Sequence, residues 1–582
     1  MSGPFPRVAV IGAGRVGSHL AALLARHGRT VVVVERDEEC CELRRRALHM
    51  ALAGEPEVRD RIAWSFRPAD AAGADLVVEA LPERLDAKAA VLRRIVELAG
   101  EDTVFASTTT AFPLTAVASA DERVMSRLVA LHVFPPDAAL RRPPAGPAVE
   151  LAFTPSTAPE VREAAAALVR SLGLAPLPGA DLPGFVGGAL LAAYLNDAVK
   201  MLAEGYASAG DIDAAMTLGC GLPVGPLARL DDIGLDTAHD TLAALHERTG
   251  DAGYAPAPML TRRAAAGLTG RKAGRGFHDY RNAEVPAADD TAADGGLPAL
   301  SSVGVVGSGT MGTGIAEVCA RAGVPTVLVA RSDSRAKEAL VAVERSLGRA
   351  AARGRLTPDQ ADAALGRLTA AADLDAVGGC DLVVEAIAEE LVAKREVFAR
   401  LGRAAHQDAL LATTTSSLPV SACAAASGRP HAVVGLHFFN PAPVMRLVEV
   451  VRTAKTSPAS AARARNAAIA LGKRPVECPD RAGFIVNALL FPYLNRAIAL
   501  TERHGIPPED VDAVMTGVHG FPMGPLHLLD VIGLDVAVQI LRSLHAASGD
   551  PALAPGPALT GLVGRGCLGR KTGRGFLVQQ AR

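Results

Sequence analysis

Short apolar runs, separated by glycines and by stretches with helical apolar spacing, set the pattern of this chain. Val8–Ile11 is such a run. Glycines follow it, then an Ala- and Leu-rich segment with helical periodicity, then a second run at Val31–Val34. Strand, helix and strand in that order predict a βαβ unit, and hence a parallel, doubly wound sheet. The pattern then returns. Residues 8–34, VAVIGAGRVGSHLAALLARHGRTVVVV, are echoed by residues 303–329, VGVVGSGTMGTGIAEVCARAGVPTVLV. DLVVEALPE (75–83) is echoed by DLVVEAIAE (381–389), and GLPVGPLARLDDIGLD (221–236) by GFPMGPLHLLDVIGLD (520–535). GRKAGRGF (270–277) is echoed by GRKTGRGF (569–576). The order is the same in both copies. A period of roughly 300 residues is a duplicated enzyme-sized unit, since solenoids repeat every 20–50 residues or so.

Within copy two, apolar runs predict strands at Leu382–Glu385, Leu410–Ala412, Ala432–Leu436 and Val448–Val451. The last third lacks such runs and reads as helices over Phe484–Arg503, Pro508–Thr516 and Leu526–Ala546. The expected fold is therefore an α/β Rossmann-type domain plus an all-α C-terminal domain, the pair present twice. The expected boundaries are 1–182 and 183–283 for copy one, 284–302 for a linker rich in Ala, Asp, Gly and Pro, and 303–481 and 482–582 for copy two.

Composition narrows the function classes. The chain has 582 residues, which fits about four domains. Lys and Arg total 60 against 62 Asp and Glu, a net charge of −2, so no dedicated nucleic-acid binder is expected. Apolar residues make up 49%, enough for a sizeable core, but aromatics only 4%, so that core should be built from Ala, Val and Leu. No apolar run is long enough to span a membrane. Met1–Pro6 leads straight into the first strand without a leader pattern, so a cytoplasmic location is expected. The eight cysteines lack zinc-ligand or disulfide spacing and read as reduced thiols, with no metal site.

The glycines carry the first chemistry. Gly12, Gly14 and Gly17 form GxGxxG between a strand and a helix. Gly307, Gly309 and Gly312 do the same, with Thr310 and Met311 between the last two. In that context the loop should cradle a dinucleotide pyrophosphate at the helix N-terminus. The end of the second strand separates the copies. Copy one has Glu35, whose carboxylate suits the ribose hydroxyls of NAD. Copy two has Ala330, Arg331 and Ser332. With no carboxylate and a guanidinium beside a hydroxyl, copy two leans toward NADP, although Arg331 stacked on adenine with NAD bound is the alternative.

Copy two also contains Gly435-Leu-His-Phe-Phe-Asn-Pro441, then Glu449 on the next strand-like run. Thr415-Ser416-Ser417 follows a strand, and Pro479-Asp-Arg-Ala-Gly-Phe-Ile-Val-Asn487 opens the helical half. Together, and over almost the whole chain, these motifs resemble the 3-hydroxyacyl-CoA dehydrogenase family. The resemblance implies interconversion of 3-hydroxyacyl-CoA and 3-oxoacyl-CoA by hydride transfer with NAD or NADP. An imidazole near its ordinary pKa suits removal of a hydroxyl proton at neutral pH, so His437 would be the base and Glu449 would hold its far nitrogen. The resemblance further implies that Ser416 and Asn487 bind the substrate oxygen and acyl portion, and that Asn440 helps place His437 and the nicotinamide. It also implies that Glu389, Lys394 and Lys571 contact the cofactor. CoA contacts would come from the helix after the second strand, at Ser346 and Arg353, with a solvated helix face as the alternative. One departure is Thr414, where the family carries Asn.

Copy one retains His132 and Glu150 but carries Thr110 at the Ser416 place, Pro135 at the Asn440 place and Gly188 at the Asn487 place. A longer segment with Arg141, Arg142, Pro143 and Pro144 separates His132 from Glu150. Copy one is therefore expected to bind a dinucleotide with little or no turnover; a second site with another substrate is the alternative. Members of the family commonly dimerise through their helical domains. Pairing of Phe185–Leu202 with Phe484–Leu500 would make an intramolecular pseudo-dimer. Two other functions stay open from the sequence: action on carrier-protein-bound acyl groups, and a non-catalytic dinucleotide-binding scaffold.

Overall fold

The computed structural model describes residues 4–119, 121–133, 147–281 and 300–577. In copy one the strands are β1 (Arg7–Ile11), β2 (Thr30–Val34), β3 (Ile62–Ser65), β4 (Leu76–Glu79), β5 (Val104–Ser107), β6 (Leu128–His132), β7 (Ala148–Phe153) and β8 (Ala175–Pro178). In copy two they are β9 (Val303–Val306), β10 (Thr326–Val329), β11 (Leu368–Ala371), β12 (Leu382–Glu385), β13 (Leu410–Thr413), β14 (Val433–Phe438), β15 (Leu447–Arg452) and β16 (Arg474–Pro479). Each set forms one sheet, in the order β3-β2-β1-β4-β5-β6-β7-β8 and its equivalent in copy two. The central strands β4 and β12, both LVVE, are buried along their whole length, as a sheet covered on both faces requires. The order reverses direction between β1 and β4, and between β9 and β12. That is the switch point where the crevice for a ligand opens.

The wholly parallel sheet expected above is corrected at one place. β6 and β7 pair antiparallel, as do β14 and β15, while β8 and β16 run parallel to β7 and β15. The expected helix Leu526–Ala546 is two helices, Pro525–Ile532 and Leu534–Ser548, because Gly533 between them has φ +104°, a backbone that only glycine adopts freely. β11 and β16 had no counterpart in the expected strands. Residues 134–146 and 282–299, which hold Pro135, Arg141, Arg142, Pro143, Pro144 and nearly all of the expected linker, lie outside the described residues.

The helical domains of the two copies share one apolar core. Helix Gly187–Ala203 packs along helix Val486–His504, with Tyr194 and Tyr493 ring centroids 5.9 Å apart. Polar contacts flank this core. Arg481 pairs with Glu204 at 2.6 Å and lies over the Tyr206 ring, whose hydroxyl donates to the Pro479 carbonyl at 2.8 Å. Arg496 pairs with Asp251 at 2.9 Å. The domains also cross. Copy one's helix Ala209–Cys220 packs on β15 and β16, and copy two's helix Pro508–Gly517 packs on β7 and β8. Among the described residues no helix is long and apolar enough to cross a membrane, and no cluster of metal-ligating side chains forms.

Candidate active site

The antiparallel turn of the sheet is what brings the acid to the base. In the β14–β15 register His437 stands directly opposite Glu449, and His437 Nδ1 lies 2.5 Å from Glu449 Oε2. Both residues are buried. The other carboxylate oxygen of Glu449 accepts from the amides of Ile485 and Val486, each at 2.9 Å. Those amides point inward because Phe484, just before them, holds φ +50° after Gly483 at φ +77°. Such a conformation is an outlier for a bulky residue and costs on the order of 1–3 kcal/mol, so it persists only where packing and hydrogen bonds enforce it. The Phe484 ring packs on His437 at 5.5 Å, and Phe439 at 4.6 Å. Copy one repeats the arrangement. His132 pairs with Glu150 across β6–β7 at 3.0 Å, Val186 and Gly187 amides donate to Glu150, and Phe185 has φ +51°. The paired Gly–Phe dipeptides in the two copies were the available signal for this turn; the sequence reading used that of copy two only as part of the family motif.

The remaining predicted side chains separate into those the structure gathers and those it does not. Asn487 Nδ2 donates to the Ser416 carbonyl at 3.3 Å, so these two residues adjoin. Ser416 sits in a loop tied to Glu389, which accepts from Thr415 Oγ1 at 2.6 Å and from the amides of Ser416 and Ser417 at 2.8 and 3.2 Å. Burial works to raise the Glu389 carboxyl, but Lys394 and these donors hold it below its usual range. Two expected cofactor contacts have other partners. Lys394 is buried beneath the loop, 2.8 Å from Glu385 and 3.3 Å from Glu389, and so supports the loop from below. Lys571 lies in the helical domain with its ammonium paired to Asp535. Ser346 is half-buried in helix Asp333–Ala352, and Arg353 is exposed just past its end. Asn440 is exposed at the end of the His437 strand, with a cis bond to Pro441.

A residue missed by the sequence reading holds the next segment. Lys473 is buried, and its ammonium donates to the carbonyls of Ala442 at 2.6 Å and Met445 at 2.8 Å. Burial, with Arg321 nearby, pushes its pKa down to about 8. The signal was a lysine after Gly472 where copy one has the apolar Leu174.

The glycine loops fit a dinucleotide. A Cβ on Gly312 would lie 1.9 Å from the Gly307 carbonyl oxygen, so the helix packs on the turn as only glycine allows. A Cβ on Gly309 would meet no atom within 4 Å, so that side of the loop is open to a ligand. Helix Thr310–Arg321 has no side-chain cap, which leaves its first amides available to phosphate oxygens. Gly12, Gly14 and Gly17 repeat these relations. Glu35 Oε1 accepts from the Ala13 amide at 2.6 Å, whereas the equivalent Ala330 is buried and Arg331 beside it is exposed.

Profiles described as "3-hydroxyacyl-CoA dehydrogenase, NAD binding domain" match residues 7–181 and 302–481, and "3-hydroxyacyl-CoA dehydrogenase, C-terminal domain" residues 184–280 and 483–579. The chain belongs to the 3-hydroxyacyl-CoA dehydrogenase family. It is an oxidoreductase of that family with both of the family's domains present twice. A 3-hydroxybutyryl-CoA dehydrogenase of Mycobacterium tuberculosis is 45% identical over 280 residues, 48% of this chain and 98% of that protein. The mitochondrial hydroxyacyl-coenzyme A dehydrogenase of Homo sapiens is 40% identical over 284 residues, 48% of this chain and 90% of that protein. The crystal structure of a 3-hydroxybutyryl-CoA dehydrogenase from Escherichia coli covers 96% of this chain and 99% of its own, with a TM-score of 0.64 and 22% identity, a likeness of fold.

Proposed function

We propose that this protein interconverts 3-hydroxyacyl-CoA and 3-oxoacyl-CoA, with short 3-hydroxybutyryl-like substrates, and that the chemistry takes place in copy two. The observation that carries the reading is the His437–Glu449 pair standing beside the Ser416–Asn487 contact. Glu449 engages Nδ1, which leaves Nε2 to take the hydroxyl proton during oxidation and return it during reduction. Position 487 borders that nitrogen: in copy one, a Cβ on Gly188 would lie 3.7 Å from His132 Nε2. Asn487 can therefore donate to the substrate oxygen as charge develops there. Ser416 is held by Glu389, which accepts from its amide at 2.8 Å and its hydroxyl at 3.3 Å, and that hydroxyl would turn to the same substrate oxygen. A bound nicotinamide supplies the hydride acceptor or donor.

Copy one keeps the base and the acid but has no side chain at Gly188 and a bulkier threonine at Thr110, and on this reading it binds dinucleotide without turnover. Ala330, Arg331 and Ser332 favour NADP in copy two, and Glu35 favours NAD in copy one. The packing of helix Gly187–Ala203 on helix Val486–His504 supports an intramolecular pseudo-dimer, expected to scatter light as one chain of 59.8 kDa. The decisive assay follows acetoacetyl-CoA reduction with NADH and NADPH in parallel. His437→Ala should abolish most turnover and His132→Ala should not, and the reverse outcome would move the chemistry to copy one. Arg331→Ala should weaken NADPH more than NADH by about 1.5–3 kcal/mol, the worth of a charge-assisted hydrogen bond.

A further inference from the structure

The two copies exchange helix ends, and the exchange is unequal. Helix Ala209–Cys220 of copy one ends against the machinery of copy two. A Cβ on Gly219 would lie 2.8 Å from Leu447 Cδ2, 3.1 Å from Val486 Cγ2 and 3.6 Å from Phe439 Cε1. Each of these neighbours is one step from the base. Leu447 heads the strand that carries Glu449, the Val486 amide donates to Glu449, and Phe439 lies against His437. In the opposite direction copy two presents Val518 and His519, at the places of Gly219 and Cys220. His519 meets a correspondingly small residue: a Cβ on Gly187 would fall 2.3 Å from His519 Nε2, and the His519 ring lies 6.3 Å from that of His132. Ala148, which stands where copy two has Leu447, faces Gly517 of the same helix end, where a Cβ would lie 3.0 Å from the Ala148 Cβ.

We infer that copy one acts as a positioning wall for the His437–Glu449 pair, and that the two helix ends are sized so that only unlike copies can pair. Copy two's counterpart of Gly187 is Val486. Pairing copy two with itself would drive His519 into the Val486 Cβ at the 2.3 Å separation that Gly187 avoids. Pairing copy one with itself would set Gly219 and Cys220 against Ala148 and Gly187, small against small, and leave a void. Only in the mixed pair do both bulky residues, Val486 and His519, face a glycine. A copy that has lost the amide side chain at the Asn487 place is thereby retained, because the active copy has no other fitting partner. The inference rests on the proposal that copy two carries the chemistry.

The test is made in the full-length chain. Gly219→Val forces a side chain against Leu447 and Val486 and should lower kcat about tenfold or more, with KM for acetoacetyl-CoA within about twofold. Adding Leu447→Ala, the residue copy one uses at that place, should restore most of the lost kcat. Should the valine variant fail to fold, Gly219→Ala with and without Leu447→Ala gives the same comparison at smaller amplitude. His519→Cys should lower thermal stability and leave kcat unchanged. Wild-type kcat in Gly219→Val, or a loss that Leu447→Ala does not rescue, overturns the wall. A kcat lost in His519→Cys but kept in Gly219→Val would instead show that the chemistry lies in copy one.

Discussion

His132 and His437 stand in the same register, opposite the same kind of carboxylate, fixed by the same pair of backbone amides. The two sites differ in what surrounds the imidazole. Around His437 the chain provides Asn487, Ser416 and an ammonium bracing the segment after Asn440. Around His132 it provides Gly188, Thr110 and, at the Lys473 place, Leu174. The acid–base pair is part of the sheet and survives because the fold keeps using it: Glu150 still ties β7 to the start of the helical domain. The Asn487 side chain adds to the fold only its 3.3 Å bond to the Ser416 carbonyl, so its absence at Gly188 leaves the copy-one fold intact. A preserved His–Glu pair is thus a sign of fold, and on the proposed reading the neighbouring amide is the sign of chemistry.

The sharpest way to break this comparison is to remove the acid from each copy. Glu449→Gln should lower kcat by roughly 10²–10⁴-fold, while Glu150→Gln should leave acetoacetyl-CoA reduction within about twofold. Equal losses would mean that both copies turn over. Next in size, Asn487→Gly gives copy two the residue of copy one. It should reduce kcat/KM by roughly 10–100-fold, the cost of one hydrogen bond to a developing oxyanion, and Gly188→Asn should not raise the rate of the intact chain. Lys473→Leu, again the copy-one residue, leaves the Ala442 and Met445 carbonyls without their donor. Differential scanning calorimetry should show a loss of about 1–3 kcal/mol, and kcat should fall with it.

The smallest effect lies in the helical domains. In copy one His278 Nε2 meets Asp213 at 2.8 Å; in copy two Leu577 takes that place, and burial raises Asp512 to about 6. Burial works to lower the His278 pKa, but the hydrogen bond and charge of Asp213 raise it overall. A raised folded pKa gives stability that is complete below the unfolded value, about 6.5, and is lost as pH rises through the folded value. His278→Leu should therefore lower the melting temperature more at about pH 5.5 than at about pH 8.5, by the equivalent of about 1 kcal/mol or less. An equal loss at both pH values would assign His278 to packing alone.

Much of this was legible in the chain before any coordinates. The glycine loops and the strands LVVE follow from local sequence, because close helix–turn packing and burial on both faces each demand particular residues in a row. The His437 and Glu449 pair was readable as chemistry, but its geometry depends on β14 and β15 running antiparallel, a nonlocal choice that apolar runs do not encode. The break at Gly533 was hidden because the apolar spacing continues through it. Lys394 shows the opposite difficulty: the resemblance implies a cofactor contact, and only the packing reveals the two carboxylates, Glu385 and Glu389, paired with it. Gly219 carries no local signal at all, since its neighbours come from a segment more than 200 residues away.

Helix Gly187–Ala203 and helix Val486–His504 belong to one polypeptide, so the contact between them does not obey mass action. Two separate subunits fall apart on dilution below their dissociation constant. Tethered halves face each other at an effective concentration set within the chain and not by how much protein is in solution. Specific activity should then stay constant as the enzyme is diluted, with no lag while partners find each other. Synthesis also delivers the unlike halves in a one-to-one ratio every time, so no imbalance in expression can strand either half without its partner.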